Sequence, residues 1–206
     1  MASPMPAGTI DATIDAALGT NPALRSGTAA YVALLQDFQT SRDERRLIAG
    51  ILEYAAQQYR QNTPNAQLVT FNDGAADMLF DRTCERTVLV FGITRTVAPG
   101  TRDNAYHGGY PRAGDGLDKG HAWAHAQGGR EGGPNYFRQA RNLNQGRSDD
   151  GRLWRAIETY LAANPGVFAF VRLIYAAGNT SDQPDEVEYG ILPADGQFRA
   201  VIFPNA

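Results

Sequence analysis

Apolar and polar positions follow two different periods along this 206-residue chain, and the change of period divides it. Residues 1–26 carry no sustained apolar stripe and read as a flexible lead-in. The spacing is then helical. Tyr31, Leu34, Leu35 and Phe38 fall on one face, and Leu47, Ile48, Ile51, Leu52, Ala55 and Tyr59 mark a second stripe. Between them, Ser41-Arg-Asp-Glu44 has the form of a capping box, in which Ser and Glu satisfy each other's free amides. The pattern predicts a helical extension over 27–65, a hairpin packed on the main body and closed by Asn62-Thr-Pro-Asn65.

After residue 66 the period shortens. Strand-like runs cover Gln67–Phe71, Met78–Phe80 and Thr87–Ile93. A polar loop rich in Gly, Pro and Arg spans Thr94–Gly116, a length that is usually functional or disordered. Leu117–His125 is expected as a strand, and Arg152–Ala163 as a helix stopped by Asn164-Pro165-Gly166. Three strands follow, at Val167–Ala176, Glu186–Leu192 and Phe198–Phe203. In the second, Val187, Tyr189 and Ile191 alternate with polar residues, as on a half-buried strand. There is no internal repeat. The expected class is α+β with a largely antiparallel sheet, residues 66–206 forming the main domain.

Composition changes this picture in three ways. An apolar content of 43% indicates a globular chain with a core. A single cysteine, Cys84, excludes an intrachain disulfide framework and a multi-Cys zinc site. The net charge of −3 is unevenly spread: Arg95 to Glu158 holds ten basic and seven acidic side chains, so the positive excess sits in one segment. A local cationic surface is what phosphate binding needs, whatever the total charge. No apolar run approaches the ~20 residues that span a bilayer. The start, Met1-Ala-Ser-Pro-Met-Pro-Ala-Gly8, lacks a basic stretch followed by an apolar one. The expectation is a cytoplasmic protein, or one that leaves the cell by a route needing no cleaved signal.

The basic segment also holds the candidate chemistry. The only lysine, Lys119, stands in Asp118-Lys119-Gly120-His121. His121 is the candidate general base, because neutral imidazole takes a proton near neutral pH. Asn144, in Leu143-Asn144-Gln145-Gly146, offers a hard amide oxygen suited to Mg²⁺. Glu158, four residues after Trp154, is placed to hold that ion's waters from a helix.

The ordered series Asp-Lys-Gly-His, Asn-x-x-x-Gln-x-x-x-Leu-Asn-Gln-Gly and Trp-x-x-x-Glu resembles the DNA/RNA non-specific endonucleases with the Asp-Arg-Gly-His motif. These are ββα-metal, or His-Me finger, nucleases. The ending, Val171–Tyr175 through Pro184–Tyr189, is similar to their bacterial polymorphic-toxin branch. The resemblance implies a ββα-metal core, and His121 as base with Lys119 beside it. It implies Asn144 as ligand of one divalent cation, Mg²⁺ or another such as Mn²⁺, with Glu158 ordering its water shell. Asn135 and Gln139 would shape the site, and with Arg138 they join the expected substrate-binding set. An upstream arginine on the scissile phosphate is Arg95, Arg102 or Arg112. Trp154 would pack behind the helix. This chain departs from the family pattern at Lys119, where arginine is usual, and in six extra residues over Arg147–Arg152.

The implied activity is hydrolysis of DNA or RNA to 5′-phosphorylated ends, by a monomeric bacterial toxin or effector with a cognate immunity protein. Export would use a specialised secretion system, with action in the target-cell cytoplasm. Two alternatives stay open. His121 and His125, with His107, have a spacing that suits a zinc hydrolase. A catalytically inactive nucleic-acid-binding module is the other.

Overall fold

The computed structural model describes residues 4–97, 116–194 and 196–206. The alternating runs pair into one sheet of seven strands among these residues, in the order β1-β9-β8-β7-β4-β3-β2. Its strands are β1 (Arg25–Ser26), β2 (Leu68–Asn72), β3 (Asp77–Asp81), β4 (Arg86–Ile93), β7 (Phe168–Ile174), β8 (Glu186–Leu192) and β9 (Arg199–Pro204). Every pairing is antiparallel. The α+β class is as expected. A separate two-stranded hairpin joins β5 (Leu117–His121) to β6 (Tyr136–Ala140). The strand expected over Leu117–His125 therefore ends at His121, and a short 3-10 turn occupies His125–Gln127.

Helices cover both faces of the sheet. Two of them, α2 (Val32–Ser41) and α3 (Glu44–Asn62), form the expected pair. The cap is two residues later than the sequence suggests. Arg42 takes a left-handed conformation (φ 53°) that ends α2, and Asp43 caps α3 by accepting from the Arg45 and Arg46 amides. On this face Tyr31 packs its ring against Tyr54, Phe170 and Phe198. On the other face lies α5 (Asp149–Ala163), whose buried Trp154 meets Tyr189 and Phe203. The hairpin shares that side: Gln127, between its strands, donates to the Tyr189 hydroxyl.

The lead-in is a correction. Residues Ala7–Thr20 form helix α1, packed on α5 with Ile10 and Ile14 buried one turn apart. Each such buried side chain contributes roughly 1.5–3 kcal/mol. Arg199 of β9 reaches Asp11 (3.2 Å) and Asp15 (3.0 Å), and Asn21 donates to Asp150. Leu47, Ile51 and Tyr59 of the expected extension belong to the same core as Val171, Tyr189 and Phe203, so no core boundary sets the helices apart. No helix among the described residues is long and apolar enough to cross a membrane.

Candidate active site

The hairpin register sorts the motif onto two faces. Lys119 pairs with Arg138 and His121 with Tyr136, so these four share one face, while Asp118 and Gly120 point to the other. Gly120 has a steric reason. A Cβ there would sit 2.2 Å from Gln139 Oε1 and 2.6 Å from its Cβ, because the Gln139 side chain lies across the glycine.

Directly after β6 the chain turns through α4 (Arg141–Asn144), which is locked to β5 by Asp118. The Asp118 carboxylate accepts from Arg141 Nε (3.0 Å), Asn144 Nδ2 (3.1 Å) and Gln145 Nε2 (2.7 Å). Burial raises its pKa, but these donors outweigh burial and hold it below the ordinary aspartate value. A carboxylate in this state only accepts, so Asn144 must present its NH₂ group to Asp118. The amide oxygen is then the atom left for a hard cation.

The helix that follows supplies the opposite wall. Ser148 caps α5 by accepting from the Gly151 amide, and Asp149 and Asp150 stand in the first turn, where acidic side chains favour the helix dipole. The six extra residues thus lengthen the start of α5. They do not carry Glu158 away. Lys119, His121, Asn144, Arg155 and Glu158 line one cavity of about 610 Å³, with Met5 at its wall. The Glu158 side chain is 16% exposed and lies 3.5 Å from Arg155 Nη1. Burial pushes its carboxyl above the ordinary glutamate value, against the pull of the Arg155 charge. Burial likewise lowers the Lys119 ammonium, against the pull of Glu131.

These donors fit a single hard ion. Asn144 and Glu158 give oxygen only, and the cavity has room for an ion that keeps most of its waters. Among the described residues no group of three or more His, Cys, Asp or Glu side chains is arranged to hold a metal. His107, the third ligand of the zinc alternative, lies outside the described residues.

Other expected site residues lie elsewhere. Asn135 is only 2% exposed. Its Oδ1 accepts from Trp123 N (2.7 Å), and its Nδ2 donates to the carbonyls of Trp123 (2.9 Å) and Arg130 (2.8 Å). Gln139 is 1% exposed. Both side chains are thus buried, Asn135 tying the hairpin to its loop and Gln139 lying across Gly120. Arg138 sits 3.6 Å from Asp182 and does not line the cavity. Arg95 is exposed beside that loop, its amide donating to Gln127 O and its Nη1 to Gly74 O (3.2 Å). Arg102 and Arg112 lie outside the described residues.

One charged side chain was not singled out from sequence. Glu131 is 8% exposed and places Oε2 3.0 Å from His121 Nε2. Tyr136 donates its hydroxyl to the same oxygen, and its ring stands edge-on to His121 at 4.6 Å. The only sequence signal is a charged residue inside the glycine run Gly128-Gly129-Arg130-Glu131-Gly132-Gly133. That run is tightly folded: a Cβ on Gly129 would lie 1.8 Å from Trp123 O.

No family model matches the chain, and no curated protein matches it. Among solved structures it is similar to an "extracellular endonuclease", at 19% identity over 70% of this chain and 85% of that chain, with a TM-score of 0.42.

Proposed function

We propose that this chain is a metal-dependent, sequence-non-specific endonuclease that hydrolyses DNA or RNA phosphodiesters. One observation carries the reading: Lys119 and His121 of β5, Asn144 of α4 and Glu158 of α5 line a single cavity. Separated in sequence, they supply together a base, a cation, a neutral oxygen donor and an acid.

His121 takes a proton from a water in line with phosphorus, the oxygen adds to phosphorus, and the bond to the 3′ oxygen breaks. The product carries a 5′-phosphate. Lys119, with Arg155 across the cavity, holds the phosphate by charge, and an upstream arginine (Arg95, Arg102 or Arg112) assists. Asn144 would hold a Mg²⁺ or Mn²⁺ ion directly, and Glu158 would hold its waters. When bound, such an ion draws charge from the phosphate and stabilises the leaving oxygen. Contacts to backbone rather than base edges make the cleavage unselective.

The decisive test is nicking of a supercoiled plasmid, and of RNA, with Mg²⁺ or with chelator. Cleavage should vanish with chelator, and His121→Ala should slow it roughly 10²-fold or more with unchanged circular dichroism. A His121→Ala variant that cuts like wild type removes the base assignment. Binding without cleavage in any divalent metal would instead mark an inactive module, and tightly retained zinc a zinc hydrolase.

The same reading makes the protein a bacterial toxin, delivered into a neighbouring cell by a specialised secretion system. An unselective nuclease endangers its producer, so an immunity protein, acidic and covering the cavity mouth, belongs to the proposal. Expression in a bacterial cytoplasm should arrest growth with degraded nucleic acid, and His121→Ala should relieve it. Harmless accumulation of an active enzyme would overturn the toxin role.

A further inference from the structure

Resting on the nuclease reading, we infer that Glu131 is the positioning residue of the His121 base: its carboxylate accepts from Nε2 and fixes how the imidazole is presented to the cavity. The carboxylate approaches both nearby histidines, but unequally. Oε2 lies 3.0 Å from His121 Nε2, whereas Oε1 is 4.0 Å from His125 Nδ1, beyond hydrogen-bond reach. The Tyr136 hydroxyl donates to Oε2 and its ring braces the imidazole, while Lys119 Nζ stands 5.0 Å over that ring. Among the described residues, Tyr136 thus braces both the acid and the base.

The loop that presents Glu131 is built to be rigid. Asn135 Nδ2 fixes the carbonyl of Arg130, the residue before it, and Gly128 takes φ 102° to make the turn. Placing an acceptor on one ring nitrogen selects the tautomer and aligns the other nitrogen, and a nearby carboxylate stabilises the imidazolium once formed. Among the described residues, the charged and titratable groups around His121 are Lys119 on its strand, Tyr136 on β6, Glu131 and His125 from the loop, and Arg155 and Glu158 lining the same cavity.

The experiment uses the full chain with Glu131→Gln, Glu131→Asp, His121→Ala and the double variant His121→Ala/Glu131→Gln. Glu131→Gln should lower kcat about 10- to 100-fold while KM for plasmid changes little. It should move the acid limb of the rate profile to lower pH by about one unit or more, because an opposite charge near the imidazole is lost. Glu131→Asp should recover part of the rate. In the His121→Ala background Glu131→Gln should do nothing further, the mark of one coupled unit.

Nitrogen-15 NMR of the His121 ring gives a readout independent of cleavage. Wild type should carry its ring proton on Nε2, and the imidazole should titrate lower in Glu131→Gln. An unchanged His121 titration, or a rate loss in Glu131→Gln that adds fully to that of His121→Ala, overturns the inference. If wild type cleaves nothing, the nuclease reading fails and the NMR comparison still decides what Glu131 does to His121. If Glu131→Gln does not fold, the same titration on Glu131→Asp decides, with a shifted pKa expected and an unchanged one counting against.

Discussion

An ionised carboxylate can only accept hydrogen bonds, and Asp118 uses that one-sidedness to orient three side chains at once. Replacing it with asparagine restores two-sidedness. Asn144 can then turn its nitrogen toward the cavity as readily as its oxygen. Asp118→Asn should cost about 10- to 100-fold in activity and raise the Mg²⁺ concentration for half-maximal rate, both read from nicking kinetics. Asp81 shows the same chemistry away from the site. Its carboxylate is fully buried and accepts from the Thr83 and Gln67 amides and the Tyr59 hydroxyl. Burial raises its pKa, yet these bonds hold it below the ordinary aspartate value. A folded-state pKa below the unfolded one means stability that is present above about pH 4 and lost as pH falls through the depressed value. Asp81→Asn should destabilise the protein at pH 7 by about 1–3 kcal/mol and flatten the loss of stability on the acid side. Urea titrations between pH 7 and pH 2 would measure both.

At the scale of elements, α4 and α5 pack together on either side of Gly146, with Asn144 on one and Glu158 on the other. A Cβ on Gly151 would lie 2.3 Å from Asn142 O and 2.9 Å from Gly146 Cα, both backbone atoms that cannot swing aside. Gly151→Ala should therefore push α5 from α4, costing about 1–3 kcal/mol and lowering Tm by several degrees, roughly 2–4 °C per kcal/mol for a chain of this size. Separating Asn144 from Glu158 should lower activity as well. Calorimetry with nicking assays tests the pair of effects.

What the sequence made legible divides along the same line. The alternation of Val187, Tyr189 and Ile191 marks a strand, but not its burial: β8 is buried on both faces, with Glu188 at 0% exposure held by Tyr31 and Arg172. Helix α1 was missed, since its stripe of Ile10 and Ile14 is diluted by alanines that suit either surface or core. The start of α5 was misplaced, although Ser148-Asp149-Asp150 is a cap signal. Glu131 was not foreseen because a one-letter run of glycines says that the chain turns, not which way a side chain emerges.

For the whole molecule, the site depends on parts far from it in the chain. Asn205 is buried and clasps the hairpin from outside: its Oδ1 accepts from Ala140 N (2.7 Å), and its Nδ2 donates to Arg138 O (2.9 Å) and Pro184 O (2.8 Å). Asn205→Ala should strand those groups, lowering stability by about 1–3 kcal/mol and loosening β6 just ahead of Asn144. Hydrogen exchange at the Ala140 amide would report it directly. The same clasp sets an order in time. A ribosome that has made residues up to Leu192 has already produced every candidate catalytic side chain, yet neither β9 nor Asn205 exists to hold them. The clasp can close only once β9 has been made, so the candidate site takes its outer support from the strand of the sheet that is synthesised last.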